Sequence, residues 1–481
     1  MTNHHTRRVA NSNKTKKNKT QHTQTQTKCG SPPISSRTIQ LLKHSWILIS
    51  KFLRRFSGTS YLSSNSYALT SVTSSLRNSP KQICKHKSNR DSPTEEPEYN
   101  VPLTTEDIAN ICKTSMYSYI PTEIKQDFES TSQQGVKRIG IELPRGRKAN
   151  IYIAVPKGHN SNMTAYMNNM IAWLCFASEI ASPDCAKTLD IYLLLGNAKK
   201  ELPDIDDAPI DRIHANTAFT TSCSASNEIF VFRREEWFKV FIHETFHCLG
   251  LDFSSSIGDE SNKRILSLFP AIDPKTDIRL YETYCEMWAE VFHLMFCLFT
   301  AAEGRQCVAF SESAFRRALL QEQRFSIYQS NKILTQAGYE YKDLFSSSPS
   351  SSNGNQPYRE KTQAFSYYVI KSMMLWNLDA FIEWCRKYSD KTTPPFSHRT
   401  PTSLKESPVV FPIQFNQNNI AKYCDFVEDL VKRKNKSYEC MVLGMRGEGN
   451  KTPIKIMLRT PDSTGSLSKT LRMTSIDPKW Y

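Results

Sequence analysis

Apolar and polar positions divide the chain into stretches of different period. Residues 1–100 are mostly Ser, Thr, Asn, Lys and Gln. Such a stretch buries too little apolar surface to offset the entropy of ordering it, and it is expected to be disordered. One island departs from this. Ile39, Leu42, Trp46, Ile49, Leu53 and Phe56 recur at helical spacing, with Lys43, Lys51, Arg54 and Arg55 off that stripe. The pattern predicts a basic amphipathic helix over 39–56, suited to a membrane surface, a partner's groove or the protein's own body. The run Ser92-Pro93-Thr94-Glu95-Glu96-Pro97-Glu98 reads as a linker that ends the tail near residue 97.

Between 137 and 232 the period is nearer two. Residues 138–143 and 150–155 alternate around Pro144-Arg145-Gly146-Arg147 and predict a hairpin. A helix is expected over 163–180. Further strands are expected over 189–195, 219–221 and 229–232. Beyond 235 the pattern turns helical, with predicted segments 235–249, 276–302, 313–336, 360–388 and 418–434. Residues 346–355 form a low-complexity loop, and the last forty residues are polar and basic with little periodicity. Sheet first and helices after argues for an α+β fold in two lobes. The implied organisation is a tail over 1–97, a domain over 98–345, a loop over 346–357 and a helical extension over 358–481.

Charge changes this picture only at one end. Residues 1–90 contain 17 Lys and Arg and no Asp or Glu, while the whole chain carries +15, so the rest is close to neutral. The basicity is a tail property. It suits non-specific contact with nucleic acid or another anionic surface, and an acid-free, Arg- and Ser-containing start is also similar to an organelle transit peptide. Removing residues 1–95 is expected to leave thermal stability nearly unchanged. The 13 cysteines are odd in number and contain no C-x-x-C pair. Neither a disulfide framework nor a cysteine-rich zinc module is expected. Reduced thiols in the cytoplasm or nucleus are. No apolar run reaches the ~18 residues of a membrane span, and the N-terminus lacks a signal-peptide core.

The candidate chemistry lies in Arg234-Glu235-Glu236-Trp237-Phe238-Lys239-Val240-Phe241-Ile242-His243-Glu244-Thr245-Phe246-His247-Cys248-Leu249-Gly250. Two acids open the segment, where a helix dipole favours them, and Gly250 stands where a helix C-terminus favours glycine. His243 and His247 would project from one face, one turn apart, able to share a tetrahedral zinc. Glu244, beside the first of them, is placed as general base for a water activated by that ion. A third ligand is needed. Asp252 is a minor candidate. The helix of Glu282, Glu286, Glu290 and His293 offers a single ionisable stripe within an apolar segment. Only one or two of its members can reach a metal, and Glu290 and His293 are expected to do something else.

An H-E-x-x-H helix followed by a helical Glu 30 to 40 residues later resembles the gluzincin metallopeptidases. Glu282-Thr283-Tyr284-Cys285-Glu286-Met287-Trp288-Ala289 is similar to the second helix of several of them. The resemblance implies a zincin-like two-lobe fold and zinc held by His243, His247 and Glu282, with Glu286 supporting His243. Sliding the register by four would make Glu286 the ligand and Glu290 the support. It also implies hydrolysis of peptide bonds, as an endopeptidase rather than an exopeptidase. An edge strand before the zinc helix would pair with extended substrate, and 216–221 is the candidate. A donor to the oxyanion would come from Tyr281, Tyr284, Tyr367 or Tyr368. The stretch from Phe230 to Trp288 is also similar to a group of large-DNA-virus proteins with no assigned activity, which raises a virion-associated location. The competing expectation is a nucleic-acid-associated or virion protein whose zinc is structural. Intact Glu244 argues against it. So does Cys248, which faces about 100° away from His247 and is a poor fourth ligand.

Overall fold

The computed structural model describes residues 32, 34–56, 101–159, 163–204, 208–256, 259–300, 309–347, 356–389, 413, 415–433, 435–444 and 468–477. The alternating stretch folds as β1 (Val101–Pro102), β2 (Gln133–Leu143), β3 (Arg147–Pro156), β4 (Thr188–Leu194), β5 (Ala218–Thr220) and β6 (Ser226–Val231). These make one mixed sheet in the order β1-β2-β3-β4-β6-β5. The predicted hairpin is β2–β3, antiparallel with a register shift between Arg138 and Ile141. Strand β4 is parallel to β3 and to β6, and β5 returns antiparallel on the far side of β6 as an edge strand. At Gly135 a side chain would meet the Ile153 carbonyl at 1.9 Å, so only glycine lets β2 approach β3 there.

Helices cover both faces of the sheet. They are α1 (Ser36–Phe56), α2 (Thr105–Cys112), α3 (Thr122–Ser130), α4 (Met163–Ile180), the single turn α5 (Arg212–Ala215), α6 (Trp237–Cys248) and α7 (Asp259–Leu266). They continue with α8 (Leu280–Phe299), α9 (Glu312–Gln336), α10 (Lys371–Trp376), α11 (Leu378–Tyr388), α12 (Gln417–Lys432) and α13 (Lys436–Gly444). Period-two alternation divides the strand residues. Ile151, Ile153, Ile191, Leu193, Ile229 and Val231 join the main core with α4 and α6. Ala154, Tyr192, Leu194 and Phe230 face Ile111, Tyr117, Ile124 and Phe128 of the short helical segments on the other side. The fold is α+β with a single six-stranded sheet. Among the described residues no helix is long and apolar enough to cross a membrane.

One open alternative is decided and three expectations change. First, of the three surfaces the amphipathic helix suited, it takes the protein's own body. As α1 it lies on α4 and α11, with Ile39, Leu42, Trp46 and Ile49 buried and Trp46 packed edge-on against Phe296 of α8 at 5.7 Å. Ser35 caps it, and the Ser35 hydroxyl and amide both donate to Asp379 of α11 at 3.0 Å. The rest of the tail lies outside the described residues. Second, the thiols are not uniformly reduced, because Cys185 and Cys223 form a disulfide. Third, the predicted helix over 360–388 is divided into a π-helical segment, Phe365–Ile370, followed by α10 and α11. Fourth, the polar end of the chain is not all tail. Leu471, Met473, Thr474 and Ser475 are buried. Polar side chains of the body bond the backbone of 470–476. Met473 and Thr474 amides donate to Glu236, Ser475 and Ile476 amides donate to Glu322, and Lys371 Nζ donates to the Met473 carbonyl at 3.1 Å.

Candidate metal centre

Helix α6 begins at Trp237, two residues later than the acids at 235 and 236 suggest. Glu236 precedes it in a left-handed conformation, φ 58°, and its carboxylate does not cap the helix. It pairs instead with buried Lys200 at 2.9 Å. The other end matches expectation. Gly250 has φ +64°, its amide donates to the His247 carbonyl, and the Leu251 amide donates to Phe246. This pair of bonds is the Schellman closure, which needs a left-handed residue. A Cβ at Gly250 would also lie 2.8 Å from Cys185 Sγ, so the disulfide packs directly on this turn. The reversal brings Asp252 back beneath His247. On the sheet side, Trp173 Nε1 of α4 donates to Thr245 Oγ1 at 2.7 Å and fixes the rotation of α6.

So held, His243 and His247 meet Glu282 from the first turn of α8. The two Nε2 atoms are 3.0 Å apart, and Glu282 Oε2 is 3.0 Å from the first and 3.3 Å from the second. All three residues are buried. Bonds of about 2.0–2.1 Å to a tetrahedral ion set neighbouring donors about 3.3 Å apart. The triangle has that scale, and its atoms are two imidazole nitrogens and a carboxylate oxygen. These residues could hold a metal ion.

The outward nitrogens are also occupied. His247 Nδ1 is 2.5 Å from Asp252 Oδ2, and Ser254 donates to the other Asp252 oxygen at 3.0 Å. His243 Nδ1 is 3.0 Å from Glu286 Oε1, close but not well aligned as a hydrogen bond. Asp252 and Glu286, both candidate ligands from sequence, therefore stand behind the histidines rather than in the triangle. Carboxylates at Nδ1 hold that proton and leave Nε2 to face an ion. The remaining stripe leads away. Glu290 pairs with Lys371 Nζ at 2.7 Å, and His293 Nε2 donates to the Ile476 carbonyl at 2.9 Å.

The field at the triangle favours cations. Burial opposes charge on His243, yet the neighbouring carboxylates of Glu282 and Glu286 outweigh it and lift the imidazole to about 9. His247 behaves alike, its burial outweighed by Cys285, Asp252 and Glu282. Burial would raise the carboxyls of Glu282 and Glu286. The cationic partners, His247 and His243 for the first and Lys239 and His243 for the second, hold both well below the usual range. Glu244 differs. Burial raises it, and no described residue hydrogen-bonds its carboxylate.

The four tyrosines separate clearly. Tyr367, on the π-helical segment, lies 6.3 Å from the His243 ring, and Tyr281 lies 5.8 Å from the His247 ring, centroid to centroid. Burial raises Tyr281 to about 12. Tyr284 instead packs among Phe253, Phe381, Phe415 and Tyr423, and Tyr368 donates to the Leu471 carbonyl. The π-helical segment is pinned beside α8 because the Arg279 amide donates to Ser366 Oγ at 3.0 Å and Thr283 Oγ1 donates to the Ser366 carbonyl at 3.2 Å. One buried partner was missed in the sequence. Lys239, alone in an apolar run one turn before His243, donates to Glu286. The available signal was the cost of burying an unpaired ammonium, which demands an anion opposite. Compared with known proteins, the chain matches no family's sequence model, no curated protein and no solved structure.

Proposed function

We propose that this protein is a zinc-dependent metallopeptidase of zincin-like two-lobe architecture, acting as an endopeptidase on extended polypeptide. The observation that carries the reading is the Nε2, Nε2, Oε2 triangle with an unengaged, buried Glu244 beside it on the same helix. His243, His247 and Glu282 would hold the ion, with Glu286 and Asp252 orienting the imidazoles. Three protein donors are the number a catalytic zinc uses. When bound, zinc would lower the pKa of a coordinated water and polarise the scissile carbonyl. Glu244 would accept the proton of the attacking water and pass it to the leaving amine. Its burial lifts it toward the range a general base needs. Tyr367 or Tyr281 would donate to the developing oxyanion. Strand β5, antiparallel to β6 and the last strand of the sheet among the described residues, would offer its outer edge to substrate backbone.

A purely structural ion would call for a fourth Cys or His. Among the described residues none joins the triangle, and the Cys248 thiol points to the Thr245 carbonyl at 3.8 Å. The basic tail is proposed as a non-specific contact for nucleic acid or another anionic surface, and Lys43 and Lys51 are exposed on α1. Elemental analysis of the purified chain is expected to give one zinc per molecule, lost in His243→Ala. Glu244→Gln is expected to keep the zinc and lose hydrolysis of an unfolded protein substrate by about 100-fold or more. Retained hydrolysis would refute the mechanism, and absent zinc would refute the centre.

A further inference from the structure

Helices α6 and α8 face each other with chemistry at matched four-residue intervals. Lys239, His243 and His247 lie along α6, and Glu282, Glu286 and Glu290 lie along α8. One turn is 3.6 residues, so each row keeps to one face. The rows interlock as a ladder. Glu282 stands between His247 and His243, and Glu286 stands between His243 and Lys239. The third carboxylate of the row, Glu290, is taken from the side by Lys371.

Lys239 is fully buried. Its Nζ donates to Glu286 Oε2, and its other hydrogen-bond partner among the described residues is Met473 Sδ at 3.4 Å, from the segment that threads the interior. The Glu286 approach to His243 Nδ1 is 3.0 Å but poorly aligned, so that contact alone does not fix the ring. What fixes the carboxylate is the ammonium on its other oxygen. A carboxylate shared between a metal-facing histidine and a lysine holds the ring only while the lysine holds the carboxylate. Without Lys239 the other ammonium acting on Glu286 is Lys371, which pairs with Glu290 away from the triangle.

We propose that Lys239 is a positioning residue of the metal centre: it anchors Glu286, Glu286 orients His243, and Met473 closes the far end of this relay. The inference rests on the metal-binding reading above. It adds a dependence of that centre on a residue with no contact to the ion.

Zinc affinity measured by competition with a chromophoric chelator tests it, together with the visible spectrum of the cobalt-loaded protein. The full-length chain is compared with Lys239→Met, Glu286→Gln and the double variant. Lys239→Met is expected to weaken zinc about 10- to 100-fold, the range typical of lost outer support, and to alter the cobalt spectrum while unfolding stays cooperative. In the Glu286→Gln background the same substitution is expected to change affinity by less than about twofold, because the relay is already cut. Wild-type affinity and spectrum in Lys239→Met would overturn the proposal, as would effects that simply multiply in the double variant. If Lys239→Met alone fails to fold, Lys239→Gln is measured in its place, with the same loss of zinc affinity and altered cobalt spectrum expected and wild-type values again overturning the proposal. Absence of zinc from the wild-type chain would instead refute the metal-binding reading itself.

Discussion

An imidazole serves a cation only through a nitrogen that carries no proton, and here carboxylates decide which nitrogen that is. Asp252 and Glu286 occupy the Nδ1 sides and Glu282 the Nε2 side. Truncating them should therefore have unequal effects. Glu282→Ala is expected to lower zinc affinity more than Glu286→Ala or Asp252→Ala, the latter two losing about 10- to 100-fold. The reverse order in a chelator competition would show that Glu286 is the ligand. A separate residue makes a prediction about pH. Glu360 is buried, and it accepts from the Tyr358 hydroxyl at 2.9 Å and from the Phe365 amide, at the start of the Tyr367 segment, at 2.7 Å. Burial outweighs both bonds and raises its carboxyl to about 8. Below about pH 4.5 the group is neutral folded or unfolded and costs nothing. Above that, the unfolded chain releases the proton while the folded one keeps it, so stability falls until about pH 8. Glu360→Gln removes this titration, and its melting temperature should gain on the wild type steadily between pH 5 and 8. Parallel curves would mean that Glu360 ionises normally.

At the scale of elements, what could be read along the chain was local. The β2–β3 hairpin, the strand before α6, and α6 with its glycine stop follow from period and turn residues, whereas four-residue spacing left Glu282 and Glu286 both open on α8 and only the family resemblance put Glu282 first. What could not be read was the partner of each face. The stripe of α1 was visible, but its partners, Phe296 and Phe299, lie about 250 residues away and have no mark of their own in the sequence. The break at 365–370 was hidden because the residues there are as apolar as those of a continuous helix. Docking of α1 reverses the expectation for the tail. Trp46→Ala is expected to destabilise the protein by about 3–5 kcal/mol, and removing residues 1–56 should lower the melting temperature by many degrees. Unchanged melting in both would mean that α1 does not pack on the body in solution. The disulfide shows the same limit. Cys185 and Cys223 are 38 residues apart, and only the meeting of the pre-β4 loop with the β5–β6 turn makes them neighbours.

Over the whole molecule, the buried charges are paired across distant parts of the chain. Lys200 pairs with Glu236, Lys239 with Glu286 and Lys371 with Glu290, all almost without exposure. Pairs of this kind add little stability over apolar residues, yet losing one partner is costly. The segment 468–477 is tied to the same groups through its backbone amides and carbonyls. Removing residues 468–481 would leave Glu236, Glu322 and Lys371 without several of their bonds. Calorimetry is expected to show loss of cooperative unfolding or a large fall in melting temperature. A sharp transition near the wild-type value would show that the segment merely rests on a finished core.

The order of synthesis gives this arrangement a timing. Chains emerge from the ribosome N-terminal end first and fold domain by domain, yet residues 468–477 are made after every group they bond. The helices carrying His243, His247 and Glu282 leave the tunnel with the far end of their ladder still open beside Met473's future place. On this view a nascent chain lacks a settled metal centre for the time needed to translate nearly two hundred further residues beyond Glu286. For the metallopeptidase proposed above, metal loading and hydrolysis would then be deferred until the chain can close over itself.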